Sequence, residues 1–291
     1  MRLLREIDAM RAAGLEARLE GRRLGFVPTM GALHAGHLSL VRAASSRSDV
    51  VAMSIFVNPL QFGPGEDLER YPRDLERDRA LAASAGVDLL WVPSREAMYP
   101  QPPLVTVSPG PMADDFEGAV RPGHFAGVLT VVLKLLHVVQ PDVAVFGRKD
   151  VQQAALVRRM AADLDLPVEV VVAATVREAD GLALSSRNAY LDAEGRRRAA
   201  ALSRALAAGV ATYRRGERSG VAIAATARAV LREDPALEVD YVACVDPHTF
   251  AAAERAEAST VLVLAARIGG IRLLDNVVLG DGLEGDGRAG R

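Results

Sequence analysis

The run Val50-Val51-Ala52-Met53-Ser54-Ile55-Phe56-Val57 constrains the fold of this chain more than any other segment. It is dense in apolar residues and stops at Asn58-Pro59. A strand with one wet face alternates apolar and polar residues, so a run without that alternation reads as a central parallel strand covered on both faces. The neighbouring segments agree. Leu24-Gly25-Phe26-Val27, Leu89 to Val92, Asp142 to Phe146 and Val168 to Val172 read as strands. Asp74 to Ala85, Leu129 to Val139 and Val151 to Leu164 read as helices between them, and Leu3 to Leu19 has helical periodicity ahead of the first strand. This alternation predicts an α/β fold: a Rossmann-like three-layer N-terminal domain with a mostly parallel sheet, spanning residues 1–175.

Beyond residue 175 the texture changes. Asp192 to Arg214 and Gly220 to Arg232 are alanine-rich helical patterns, followed by strand patterns at Leu237 to Val245, Thr260 to Ala266 and Ile271 to Val278. They predict a smaller α+β C-terminal domain over 176–283, organised as a lid. Residues 284–291 offer almost nothing to bury and are expected to be a disordered tail.

Composition excludes several classes. A net charge of −2 over 291 residues gives no bulk attraction to nucleic acid or to an acidic membrane. Cys244 is the single cysteine, so no intrachain disulfide can form, and its apolar surroundings suit a buried thiol. The N-terminus lacks a signal-peptide core and no apolar stretch is long enough to span a bilayer, so a cytoplasmic protein is expected.

The chemistry concentrates where strands run into helices. Pro28-Thr29-Met30-Gly31-Ala32-Leu33-His34-Ala35-Gly36-His37 joins an apolar run to the helical pattern Leu38 to Ala44. It sets two imidazoles three residues apart on one face of a helix start, where unpaired N–H groups attract phosphate. No nearby cysteine or third histidine completes a zinc set. A second junction, Val145 to Gln153, carries Gly147, Lys149 and Asp150 to the carboxyl edge of the sheet, with Gln153 on the following helix. A third segment, Ala183-Leu184-Ser185-Ser186-Arg187-Asn188, offers two hydroxyls and a guanidinium as a phosphate clamp. Gln61, in Phe56-Val57-Asn58-Pro59-Leu60-Gln61-Phe62, suits recognition of a hydroxyl or carboxylate, and Arg121 precedes a helix where it suits an anion. Each segment alone has a plainer reading as a helix cap or a solvated pair. Together they describe a site that holds a nucleoside triphosphate and stabilises charge moving through it.

These motifs, with Arg121-Pro122-Gly123-His124-Phe125 and Phe146-Gly147-Arg148-Lys149-Asp150, closely resemble those of the pantoate–β-alanine ligase family, and the likeness runs from the first helix to about Leu279. The first motif is also similar to the histidine signature of a wider nucleotidyltransferase group. The resemblance implies a cytoplasmic homodimer that condenses (R)-pantoate with β-alanine through a pantoyl adenylate, consuming ATP with Mg²⁺ and releasing AMP and pyrophosphate. It implies no nucleic-acid or membrane partner and leaves the metal's protein ligands unknown. Carried over by motif, His34, His37 and Lys149 act in catalysis. Met30, Gly31, Ala32, Leu33, His34, Ala35, Gly36 and His37 line the ATP site, joined by Gly147, Arg148, Lys149, Asp150, Val176, Leu184, Ser185, Ser186 and Arg187. Among the substrate-binding residues, Gln61 and Gln153 grip pantoate, Gln61 also orients β-alanine, and Arg121 organises the chamber. Arg148 and Leu184 depart from the family pattern, which carries an acidic residue and a methionine there. The competing reading is nucleotidyl transfer to another small carboxylate or phosphate.

Overall fold

In a computed structural model that describes residues 1–289, the run from Val50 lies in the middle of a six-stranded sheet. The elements of the first part are β1 (Arg2–Leu4), α1 (Ile7–Leu19), β2 (Leu24–Thr29), α2 (Ala35–Ser45), β3 (Val50–Ile55), α3 (Leu75–Ser84) and β4 (Leu89–Trp91). Two short helices, α4 (Arg95–Met98) and α5 (Glu117–Val120), precede α6 (His124–Val139), β5 (Val143–Gly147), α7 (Val151–Asp163) and β6 (Glu169–Ala173). The strand order is β1-β4-β3-β2-β5-β6, and every pairing is parallel. Successive strands step outward from β2 through β3 and β4, whereas β5 pairs on the other side of β2. The carboxyl ends of β2 and β5 therefore flank the switch point at which such sheets bind ligands.

The missing alternation has its cause in the packing. Val27, Val51, Met53, Leu90 and Val145 join Leu33, Leu40 and Val41 in one core on the α2 side. Leu24 and Phe26 point to the opposite face, and both are fully buried. A Cβ added to Gly14 of α1 would sit 2.8 Å from the Val139 carbonyl and 3.5 Å from Leu24, which shows how closely α1 packs there. Each such side chain removed from water contributes about 1.5–3 kcal/mol.

The chain clusters into two units, Met1–Gly147 with Leu156–Ala173, and Arg148–Ala155 with the chain from Ala174 onward. The sequence expectation kept 148–155 with the first domain; in the structure this turn and the start of α7 group with the second. The second unit contains β7 (Val176–Arg177), α8 (Ala193–Arg214), α9 (Gly220–Arg232), β8 (Leu237–Val245), β9 (Val261–Ile268), β10 (Ile271–Val278) and β11 (Gly287–Arg288). Antiparallel β8, β9 and β10 carry a core of Leu202, Leu206, Ile223, Leu231, Leu262 and Leu264. Cys244 is buried in it, and burial pushes its thiol up to about 12. This is the smaller α+β part that the sequence predicts.

Three local expectations are corrected. Arg2–Leu4 open no helix: they add the parallel edge strand β1 to β4, pairing Leu3 with Leu90, and the helix begins at Ile7. Leu3, Leu4 and Ile7 satisfy a helical period, but the open edge of β4 decides. Helix α6 begins at His124 rather than Leu129, directly after Gly123 in the left-handed region (φ 80°). The expected disordered tail also fails for 284–289. Leu283–Gly285 form a 3₁₀ turn, and Gly287 and Arg288 pair with Val176 and Arg177. Ion pairs, not apolar burial, hold this segment; Gly290 and Arg291 lie outside the described residues.

Candidate active site

The loop from β2 into α2 is held by its own side chains. His34 is the N-cap of α2, its Nδ1 accepting from the Gly36 N–H at 3.1 Å, while His37 Nδ1 accepts from the His34 N–H at 3.3 Å. The ring centroids lie 4.1 Å apart. A δ-nitrogen that accepts carries no proton, so both neutral imidazoles hold it on Nε2 and present that end as a donor. The expected unpaired N–H groups are thus partly absorbed by the histidines themselves. Gly31 (φ 86°) and Ala32 (φ 51°) are both left-handed, a conformation that costs a non-glycine residue about 1–2 kcal/mol. Asp78 of α3, 1% exposed, holds them there: its carboxylate accepts from the N–H groups of Ala32 and Leu33, each at 2.8 Å.

Gln61 follows β3 on a 3₁₀ turn, Pro59–Gln61, capped by Asn58. Asn58 Nδ2 donates to Gln61 Oε1 at 3.0 Å and to the Gly127 carbonyl at 3.1 Å, and Tyr99 donates its hydroxyl to Asn58 Oδ1 at 2.9 Å. Gln61 Nε2 donates to Met30 Sδ at 3.2 Å, a weak acceptor. The carbonyl end of the amide is spent on Asn58, so the N–H₂ end is the one equipped to receive a substrate oxygen. Gly127 makes this possible, because a Cβ there would sit 2.2 Å from the Leu60 carbonyl oxygen.

Arg121 is not an open anion site. Glu66 takes its guanidinium at 2.7 and 2.5 Å, Glu117 approaches to 3.6 Å, and a third bond of 3.2 Å reaches the Gln61 carbonyl. His124 Nδ1 donates to that same carbonyl at 2.8 Å and its Nε2 accepts from Arg121 at 3.0 Å, which fixes a neutral ring. Burial and the Arg121 charge hold His124 below its ordinary value. Burial pushes Glu66 upward, but the Arg121 guanidinium overcomes it and holds the carboxyl below the usual range. Arg121 therefore anchors the backbone of Gln61.

In the second unit the turn Arg148–Asp150 carries Lys149, whose Nζ lies 3.3 Å from Asp150. Gln153 follows on α7, half-buried. The side chain of Arg148 pairs with Asp281 and Asp286, so it is not directed to phosphate. Val176 and Leu184 are adjacent, the Leu184 N–H donating to the Val176 carbonyl at 2.9 Å. Ser185 caps the turn Ser186–Tyr190 by accepting from the Arg187 N–H at 3.3 Å, and Asn188 ties the loop to Glu178 and to the Ala183 carbonyl. The predicted phosphate-binding residues 184–187 thus lie on one tethered loop whose first residue is bonded to Val176 of β7.

The sequence profile of the family described as Pantoate-beta-alanine ligase matches residues 2–278. The chain belongs to the pantoate–β-alanine ligase family. It is 51% identical over 279 residues to a pantothenate synthetase of Moorella thermoacetica, covering 96% of this chain and 99% of that one. A crystal structure of pantothenate synthetase from Thermus thermophilus superposes with a TM-score of 0.91 at 49% identity, over 96% of this chain and 99% of the other. The pantoate-beta-alanine ligase of Francisella tularensis, solved with beta-gamma ATP and beta-alanine, matches at a TM-score of 0.78 and 32% identity, covering 97% and 99%.

Within that family frame, Asp78, Tyr99, Glu66 and Asn58 are the residues that sequence reasoning missed. Asn58 lay inside a quoted motif, but nothing in the string ties it to Gln61 and Tyr99. Asp78 reads as a first-turn helix acid, and its partners lie 45 and 46 positions away. Among the described residues no group of three His, Cys, Asp or Glu could hold a metal ion, and no helix is long and apolar enough to cross a membrane.

Proposed function

We propose that this chain condenses (R)-pantoate with β-alanine in two steps, as a cytoplasmic homodimer. Its membership of the pantoate–β-alanine ligase family sets the reaction. The observation that carries the mechanism is the imidazole pair, two Nε2–H donors at the carboxyl end of β2. In the first step a pantoate carboxylate oxygen bonds to the α-phosphorus of ATP as the bond to the bridging oxygen breaks, and pyrophosphate leaves with that electron pair. A carboxylate is already ionised at neutral pH, so no base is needed. His34 and His37 act on the charge developing on phosphate, and Lys149 neutralises charge on the leaving group.

In the second step the neutral β-alanine amine attacks the pantoyl carbonyl carbon, AMP departs with the acyl–oxygen electrons, and the amine's surplus proton passes to water, leaving the amide. From the first unit we assign Met30 to His37 and Gly147 to nucleotide, and Gln61 to pantoate and to orienting β-alanine. From the second we assign the Arg148 backbone, Lys149, Asp150, Val176 and Leu184 to Arg187 to nucleotide, and Gln153 to pantoate. The donors are imidazole, ammonium, hydroxyl and guanidinium, which suit phosphate oxygens rather than a hard cation. Mg²⁺ fits as a companion of the triphosphate, screening its charge.

Mass-resolved products of the purified chain with ATP, Mg²⁺ and pantoate test this. Pantoyl adenylate is expected without β-alanine, and pantothenate with AMP in its presence. Neither species from folded protein would overturn the reading.

A further inference from the structure

The turn that carries Lys149 is held from two directions. Asn276 on β10, 2% exposed, donates through Nδ2 to the carbonyl oxygens of Arg148 at 2.8 Å and Lys149 at 2.9 Å. The Arg148 guanidinium reaches the other way, to Asp281 at 2.9 Å and Asp286 at 2.7 Å. The second oxygen of Asp286 accepts from Arg177 Nε at 2.6 Å, and Arg177 pairs with both oxygens of Asp275 at 2.6 and 2.9 Å. The Asn276 N–H then donates to Asp275 at 2.8 Å, closing the circuit. A ring thus runs from Asn276 through the turn to Arg148, Asp286, Arg177 and Asp275, and back. Its two guanidinium and two carboxylate groups balance, which is the condition for keeping charge this far from water.

The Arg177–Asp275 pair alone would suffice to tie β7 to β10. What it does not require is a ring that runs through the main chain on both sides of the Lys149 peptide. We propose that Arg148, Asn276 and Asp286 are positioning residues for Lys149, and that the segment from Asp281 to Arg288 is a working part of the phosphate-binding machinery. They act by fixing the backbone from which the ammonium reaches, not by touching substrate. The proposal rests on the reading that Lys149 contacts phosphate.

Two measurements on the full chain decide it. The first is hydrogen exchange across 146–155, which needs no turnover. Asp286→Asn and Arg148→Ala should both speed exchange there and leave α8 and α9 protected; Arg148→Ala leaves the Arg177–Asp275 pair intact and so guards against loss of the fold. Unchanged exchange at 146–155 in both variants would overturn the clamp, whatever the enzyme's activity. The second is a double-mutant cycle on pyrophosphate release with Lys149→Ala. Arg148→Ala is expected to lower kcat/KM for ATP about tenfold when Lys149 is present and less than about twofold when it is absent. Equal losses in both backgrounds would overturn the proposal, as would a Lys149→Ala variant as active as the parent chain. A parent chain that releases no pyrophosphate would sink the ligase reading, while the exchange comparison would still decide the clamp.

Discussion

The turn at His34 and the turn at Lys149 both follow the end of a parallel strand into a helix, yet they are secured in opposite ways. The first is held by uncharged N–H groups converging on a single carboxylate, Asp78, and by the histidines capping their own helix. The second is held by a ring of charges whose paired members lie 98 to 138 positions apart. One lost side chain leaves the first turn with two unpaired donors and two left-handed residues. The second shares its restraint among several groups, so each single loss should be milder.

That contrast can be broken experimentally, beginning where the effect is largest. His37→Ala should lower the rate of adenylate formation about 10²- to 10³-fold, the scale for removing one donor aimed at developing charge. Rapid-quench rates and ATP titration check it, with ATP affinity expected to change far less. A loss confined to ATP affinity would remove His37 from the transition state.

Asp78→Ala should cost about 2–4 kcal/mol in urea unfolding, because two backbone donors lose a buried partner. It should also slow adenylate formation, because the loop that leads to the two histidines is released. A stable variant with a normal rate would show that the loop holds itself.

Gly127→Ala tests the neighbouring Gln61 turn. The added methyl meets the Leu60 carbonyl oxygen at 2.2 Å, so strain of about 1–3 kcal/mol should displace Gln61. Steady-state kinetics should then show a raised KM for pantoate and little change in KM for ATP.

The smallest expected effect is on pH. Both His124 and Glu66 have values lowered by folding, against references of 6.5 and 4.5. As pH falls below 6.5 the unfolded chain takes up a proton that folded His124 resists, so stability declines. Glu66 extends the decline as pH falls through its own lowered value. Thermal midpoints measured from about pH 7 to 5.5 should fall, and His124→Gln should flatten that slope.

Much of this architecture is legible in the string. Val50 to Ile55 announces a doubly covered strand, and Gly220 to Arg232 ends where its amphipathic pattern ends. The Pro28 to His37 motif is read as a strand running into a helix start, and β2 and α2 end and begin there. What the string hides is who holds each motif. Asp78 sits in an ordinary helix start, and nothing near it in sequence names Ala32 or Leu33 as its partners. Arg121 reads as a free cation because Glu66 and Glu117 are invisible as partners until the chain folds. The segment after Leu283 reads as disordered because apolar content is what sequence judges, whereas Asp286 is fixed by two guanidinium groups. Arg2–Leu4 fail for a related reason: a three-residue edge strand takes its identity from the neighbour it pairs with.

The ring through Lys149 also orders events in time. Arg148 leaves the ribosome 138 positions before Asp286, roughly seven to thirty seconds at ordinary elongation rates. Through that interval the sheet of the first unit can form, β6 included, while the ring that holds the lysine's turn is incomplete. The turn at Lys149 thus waits for side chains made 128 to 138 positions later, and a nascent chain stalled before Asp275 would lack Asp275, Asn276 and Asp286 alike while Asp78 already holds the loop before His34.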